Sequence, residues 1–272
     1  MSIIRISEKA GVRYLQFSNH WIQGAMRVSR PCSLELSYTR ELMLPLLLRR
    51  TRGWPRSVLQ VGLGAGSITK FLHRHLPGAQ LTVVEIDPEV LLAAWSFFRV
   101  PEESERLSIE IADGFQFLAA THQQYDLILV DGFDGDGRAG VLDTPAFYRL
   151  CRKRLTREGM LATNLIGPPR EIAASIARLR RAFDDRVLAL PPDDVNCVAI
   201  AAVGAPIRTS PAVLRRSAEK LKVSTGLNLL PTVVRLERES GEIRHNSKSR
   251  SPQGTPRTPG KAISKGGMTH AL

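Results

Sequence analysis

The stretch YDLILVDGFDGDG, residues 125–137, ends an apolar run in three aspartates, Asp131, Asp134 and Asp136. A chain with a formal net charge of +12 has no general reason to gather carboxylates at the end of a strand. They either cap a tight turn or meet something cationic. A turn needs one such cap, so three are in excess. Asp131 and Asp134, close together across a loop, are spaced to face one ammonium group jointly. Asp136, further out among glycines, reads as a turn residue.

Upstream, VLQVGLGAGSITKFL sets Gly62, Gly64 and Gly66 between a strand pattern and a helix pattern. Glycines there let the chain turn tightly and let a ligand approach the backbone, and the helix N-terminus beyond supplies partial positive charge. Glu85 follows Gly66 by 19 residues, at the end of the next apolar run. A carboxylate at that spacing is suited to a ribose hydroxyl. The pair of features points to a nucleoside-bearing ligand. Asp113, in IADGF, ends a third strand on the same edge, where it can accept from an exocyclic amino group such as adenine's. Its other reading is a helix cap. Asp87, just before Pro88, reads equally well as an N-cap and is kept out of the site.

The elements that must position these groups alternate strand and helix from Ser57 onward. SVLQVGLG, QLTVVEIDP, LSIEIADG, YDLILVDG and GMLATNLI read as strands, separated by amphipathic helical stretches. Continuous aliphatic strands between helices imply a mostly parallel sheet covered on both faces. The last two strands, RVLALPP and NCVAIAAVG, are joined by a link too short for a parallel crossover, so the sheet ends in an antiparallel pair. This is the Rossmann-like class I methyltransferase variant of the α/β fold. Residues 1–48 read as a small N-terminal β unit followed by a leading helix over about 36–50. Residues 49–205 form the nucleoside-binding catalytic domain, 206–239 a helical extension, and 240–272 a disordered basic tail rich in Gly, Pro, Ser, Lys and Arg.

The charge is unevenly placed. Residues 206–272 hold 13 Lys/Arg against 4 Asp/Glu, whereas 1–205 hold 25 against 22. The basicity therefore says little about the main domain, and any nucleic-acid binding is expected only non-specifically through the tail. Three cysteines, Cys32, Cys151 and Cys197, far apart and outside any CxxC pattern, fit a reducing cytoplasm and no structural metal. The first residues lack a signal-peptide core, and no apolar run is long enough to span a bilayer.

Taken together, VLQVGLGAGS, VVEIDPEV, ADGFQF, YDLILVDGFD and FYRLCRKRLTREGML resemble the polyamine aminopropyltransferases, the spermidine and spermine synthases. WIQG near the front is similar to the family's glutamine motif. The resemblance covers roughly residues 10–203. It implies that decarboxylated S-adenosylmethionine donates an aminopropyl group to putrescine or a related amine, with release of methylthioadenosine, in an enzyme that is a homodimer. It implies further that Gln23 and Glu85 hold the ribose side, Asp113 and Gly114 contact the adenine, Asp131 is the base for the attacking amine and Asp134 orients it. Two departures stand out: Ala65 occupies a position where the family's GGGDGG loop carries an aspartate, and the segment after Gln23 carries Arg27, Arg30 and Arg40 where the family is acidic. Those arginines are expected to oppose a diamine. The alternatives are an S-adenosylmethionine-dependent methyltransferase and a homologue that binds nucleoside or polyamine without turnover.

Overall fold

Period-two burial along the central strands explains why the chain folds as two layers of helix on a sheet. Val58, Leu127, Leu129, Met160 and Ile200 enter one apolar cluster, while their neighbours Leu59, Ile128, Leu161 and Ala201 enter another on the opposite face. The computed structural model describes residues 4–17, 22–49, 51–134, 137–192, 195–207 and 210–238. Asp136 and the predicted disordered tail lie outside the described residues.

Three short strands open the chain: β1 (Arg5–Lys9), β2 (Val12–Gln16) and β3 (Ile22–Arg27), an antiparallel sheet in the order β1-β2-β3. Two short helices follow, α1 (Ser37–Glu41) and α2 (Pro45–Leu48). The single helix expected over 36–50 is thus interrupted. Pro45 has no N–H to donate backwards and biases the residue before it, so the chain restarts there with proline in the first turn of α2.

The main unit runs β4 (Ser57–Val61), α3 (Ser67–His75), β5 (Gln80–Glu85), α4 (Pro88–Phe98), β6 (Leu107–Ile111), α5 (Gly114–Ala120), β7 (Tyr125–Val130), α6 (Pro145–Arg154), β8 (Leu155–Ile166), α7 (Pro169–Ala182), β9 (Val187–Ala189) and β10 (Asn196–Ala202). Its seven strands are ordered β6-β5-β4-β7-β8-β10-β9. Pairs from β6 through β8 are parallel, and β10 is antiparallel to both β8 and β9. The predicted sheet class and its antiparallel end are both present. Strand order reverses between β5-β4 and β7, so the carboxyl ends of β4, β5, β6 and β7 open on one crevice.

After β10, α8 (Pro211–Thr225) and a further helical run over 230–238 complete the described chain. Leu214, Ala218, Leu229 and Val233 from this region share one cluster with Leu42, Met43, Leu44 and Leu47. The segments on either side of the main unit therefore pack together. The buried pair Phe147 and Tyr148 on α6 fills the other cluster. Phe147 has no exposed surface, so Phe147→Ala should cost about 3–5 kcal/mol, read as a fall in the denaturation midpoint with an unchanged slope.

Candidate active site

The turn after β4 lies too close to its neighbours to admit side chains. A Cβ at Gly62, where φ is +93°, would stand 2.3 Å from the Asp131 carbonyl oxygen. One at Gly64, where φ is +52°, would stand 2.6 Å from the Gln23 carbonyl oxygen. Glycine is required at both places by conformation and by space. These approaches bring β3, the glycine turn and the end of β7 to one cleft of about 220 Å³.

Gln23, Gly62, Gly64, Glu85, Asp113, Gly114, Asp131 and Asp134 all line that cleft. Gly66 does not: it is the left-handed N-cap of α3, and a Cβ there would strike Val100. Its requirement is helix packing.

Glu85 is buried and fully engaged by the backbone. Its Oε2 accepts from Leu63 N at 2.8 Å and its Oε1 from Ile86 N at 2.9 Å and Asp87 N at 3.1 Å. Burial raises its pKa, while these amides and that of Gly64 pull it back. The residue braces the glycine turn and still presents an edge to the cleft. Asp113 caps α5, its Oδ1 accepting from Gln116 N at 2.9 Å, and the residue also lines the cleft. Asp87 is an N-cap, accepting from Glu89 N at 2.9 Å.

Asp131 is the most perturbed carboxylate of the group. Asn164 Nδ2 donates to its Oδ1 at 3.0 Å, and the Tyr38 hydroxyl donates to the same carboxylate. Burial pushes its pKa up from 3.8 to about 6, against the opposing effect of those two donors. Tyr38 in turn is raised well above the usual phenol value by burial and by the Asp131 charge. Asp134, three residues on, closes its own loop: its Oδ1 accepts from Arg138 N at 2.8 Å. The far end of this loop is anchored through Asp143, which accepts from the Tyr148 hydroxyl at 2.5 Å, from Ser175 Oγ at 2.7 Å and from Arg178. The FY pair on α6 thus works as core and loop anchor.

From sequence, Tyr38 stands out only as a residue that, with Glu41, matches the family's pattern in the segment after Gln23, and Asn164 does not stand out at all. Asn164 lies in a continuous buried strand, and only its chemistry, an amide among Thr163, Leu165 and Ile166, distinguishes it. The three arginines after Gln23 need a correction too. None lines the cleft; Arg27 pairs with Glu35, while Arg30 and Arg40 face a separate pocket. Arg27 has a carboxylate within reach and Arg30 a solvent-exposed position, so both are held out of the cleft. The arginine that does line it is Arg138. Ala65 packs into the small core beside Leu15, Met26, Ala93 and Phe98, where a Cβ on Gly24 would stand 2.5 Å from its own.

The cleft therefore combines a turn of bare backbone with four carboxylates, one of them pushed up to a pKa of about 6 and pinned by a tyrosine and an asparagine. Such a set can draw in an amine cation and take a proton from it.

Known proteins share this architecture. The spermine/spermidine synthase domain profile matches residues 36–173. A polyamine aminopropyltransferase of Chromobacterium violaceum is 35% identical over 238 residues, covering 87% of this chain and 90% of that protein. A probable spermidine synthase from Corynebacterium glutamicum has the same fold, with a TM-score of 0.67 at 17% identity over 84% of this chain and 92% of that one. A spermidine synthase solved with the transition state analogue AdoDATO gives a TM-score of 0.59 at 18% identity, covering 83% and 89%. With that profile spanning residues 36–173 and a relative 35% identical over most of the chain, the chain belongs to the spermine/spermidine synthase family.

Proposed function

We propose that this protein is an aminopropyltransferase that moves the aminopropyl group of decarboxylated S-adenosylmethionine to putrescine or a related amine. The observation that carries the reading is Asp131, a carboxylate with a pKa of about 6 at the edge of the nucleoside cleft, held by Tyr38 and Asn164. An alkylamine, with a pKa of about 10.4, is protonated at neutral pH and cannot attack until it loses that proton. A raised Asp131 is a stronger base than an ordinary carboxylate. Apolar walls from Leu15, Phe17, Val141 and Leu142 disfavour the ammonium form and narrow the gap further.

In the reaction the amine nitrogen attacks the donor carbon bonded to the sulfonium. The C–N bond forms as the C–S bond breaks, the bonding pair goes to sulfur, and methylthioadenosine leaves as a neutral thioether. Asp131 receives the amine's proton. Gln23 and Glu85 hold the ribose side and Asp113 with Gly114 the adenine, while Asp134 sits beside the acceptor's ammonium. The donor reading is supported by Gly62, Gly64, Glu85 and Asp113 lining one cleft with Asp131. The protein's part is mainly alignment and proton removal.

A second reading, an S-adenosylmethionine-dependent methyltransferase, is favoured by Ala65 and by Arg138 in the cleft wall, a cation that an intact donor carboxylate would meet. Incubation with each donor and a panel of diamines, read by mass spectrometry, separates the two. Methylthioadenosine with an aminopropylated amine is the expected product pair; S-adenosylhomocysteine from the other donor would replace this reading with the second.

Three variants test the roles. Asp131→Asn should keep methylthioadenosine binding by calorimetry and lose turnover by roughly 10²- to 10⁴-fold; a wild-type rate would remove the base assignment. Because the base is lost as pH falls through its pKa, kcat/KM should drop below about pH 6. Asn164→Leu, which removes a donor that lowers the Asp131 pKa, should move that acid limb upward; an unmoved limb would detach Asn164 from the base. Glu85→Ala leaves buried amides of the glycine turn unpaired and should weaken nucleoside affinity by about 1–3 kcal/mol, measured in the same titration.

A further inference from the structure

A second pocket, of about 650 Å³, lies between the α1 region and the C-terminal helical segments. Its charged lining is Arg30, Arg40, Arg235 and Arg238 against Glu35 and Glu41. Both glutamates already have arginine partners: Glu35 pairs with Arg27, and the buried Glu41 with Arg235. Arg40 Nη1 donates to the Glu35 carbonyl, and neither Arg30 nor Arg238 has an ion pair among the described residues. Arg235 Nε is buried with no hydrogen-bond partner there. That Nε is enclosed by protein and Arg235 is engaged by Glu41, so the cationic groups of the lining left open to a ligand are those of the exposed Arg30 and Arg238.

We propose that this pocket is an effector site for a phosphate-bearing anion. Guanidinium groups present paired, planar donors that match phosphate oxygens, and several converging on one pocket favour more than a single charge. Apolar residues complete the lining, with Leu34, Phe71 and Leu227 giving an organic phosphate a surface for its non-ionic part. The sign of the lining excludes the amine substrate. It also argues against the chain's own C-terminal segment, which carries six Lys/Arg and two Glu after Arg238. The effector role comes from α1, and it rests on the aminopropyltransferase reading. Ser37, Arg40 and Glu41 line this pocket, whereas Tyr38 on the same five-residue helix donates to Asp131 in the cleft. Drawing the arginines onto an anion shifts the helix that holds the base.

The test uses the full chain and sodium pyrophosphate, with inorganic phosphate and ATP as further probes. By calorimetry at low ionic strength, pyrophosphate should bind wild-type protein, weakly in added sodium chloride. The double variant R30A/R238A changes two exposed side chains and should weaken binding by about tenfold or more. No measurable binding to wild type, or equal binding to the double variant, would overturn the site. In the aminopropyl-transfer assay pyrophosphate should change the wild-type rate and leave the double variant's rate alone; binding with no rate change would overturn the effector role. Calorimetry needs no turnover, so an inactive preparation would count against the proposed reaction and leave the binding result readable.

Discussion

The carboxylate of Glu85 gathers backbone N–H groups from two bends that no helix or strand satisfies: Leu63 and Gly64 on the glycine turn, and Ile86 and Asp87 beyond β5. Each partner would be unfavourable without the other. A buried unpaired amide costs about 1–3 kcal/mol, and an isolated buried carboxylate costs several more. Converging, they fix the turn after β4 against the end of β5, and the close approach of Gly62 to the Asp131 backbone then fixes β7 as well. The small N-terminal sheet is seated on the same turn through Gly64 and Gln23, and Ser67 Oγ donates to the Ala25 carbonyl at 2.8 Å. Lys70, buried beneath, ties Ala65 to the end of α4 by donating to the carbonyls of Ala65 and Phe98, and burial brings its pKa down to about 7. The floor of the cleft is thus rigid before any ligand arrives.

On that floor the carboxylates take different donors. Glu85, Asp113 and Asp134 accept from backbone amides, which fix their positions at the cleft edge. Asp131 accepts from two side chains, Tyr38 and Asn164, whose donors do not offset its desolvation. Burial therefore wins, and the carboxyl titrates near the range in which a general base is useful. Neighbouring aspartates within one loop thus sit in different surroundings, set by their hydrogen-bond partners.

What the sequence made legible was local. Strand and helix alternation from Ser57, the antiparallel end forced by a short link, the glycine turn and the acidic strand ends are each encoded within about twenty residues. Tyr38 and Asn164 were not legible as a pair around Asp131, because their meeting depends on α1 and β8 being brought to β7 by the packed core. The reading of Arg27, Arg30 and Arg40 as intruders in the cleft failed for a related reason. Their nearness to Gln23 is plain in the sequence, but the end of β3, the turn after it and α1 carry Arg27, Arg30 and Arg40 away from the cleft, and Glu35 pairs with Arg27. Pro45 gave a visible break that the apolar spacing of 36–50 outweighed in the reading, since periodicity carries no term for a missing N–H.

The surplus of positive charge and the cluster of aspartates are two consequences of one partition. Helical periodicity lets α1 serve opposite environments: Tyr38 donates to Asp131 while Ser37, Arg40 and Glu41 face the arginine-lined pocket. An arginine brought against Asp131 would stabilise its ionised form and lower its pKa, whereas Arg138, which does line the cleft, is tied by its backbone N–H to Asp134. In the outer groove the same charges are screened by solvent or paired with glutamate, at little cost to the amine's approach. A chain can therefore be strongly basic overall and still bind a cation, provided the short helix between the two environments keeps its register. That requirement falls on the apolar residues Leu42, Met43 and Leu44, all without exposed surface, which seat α1 against the core.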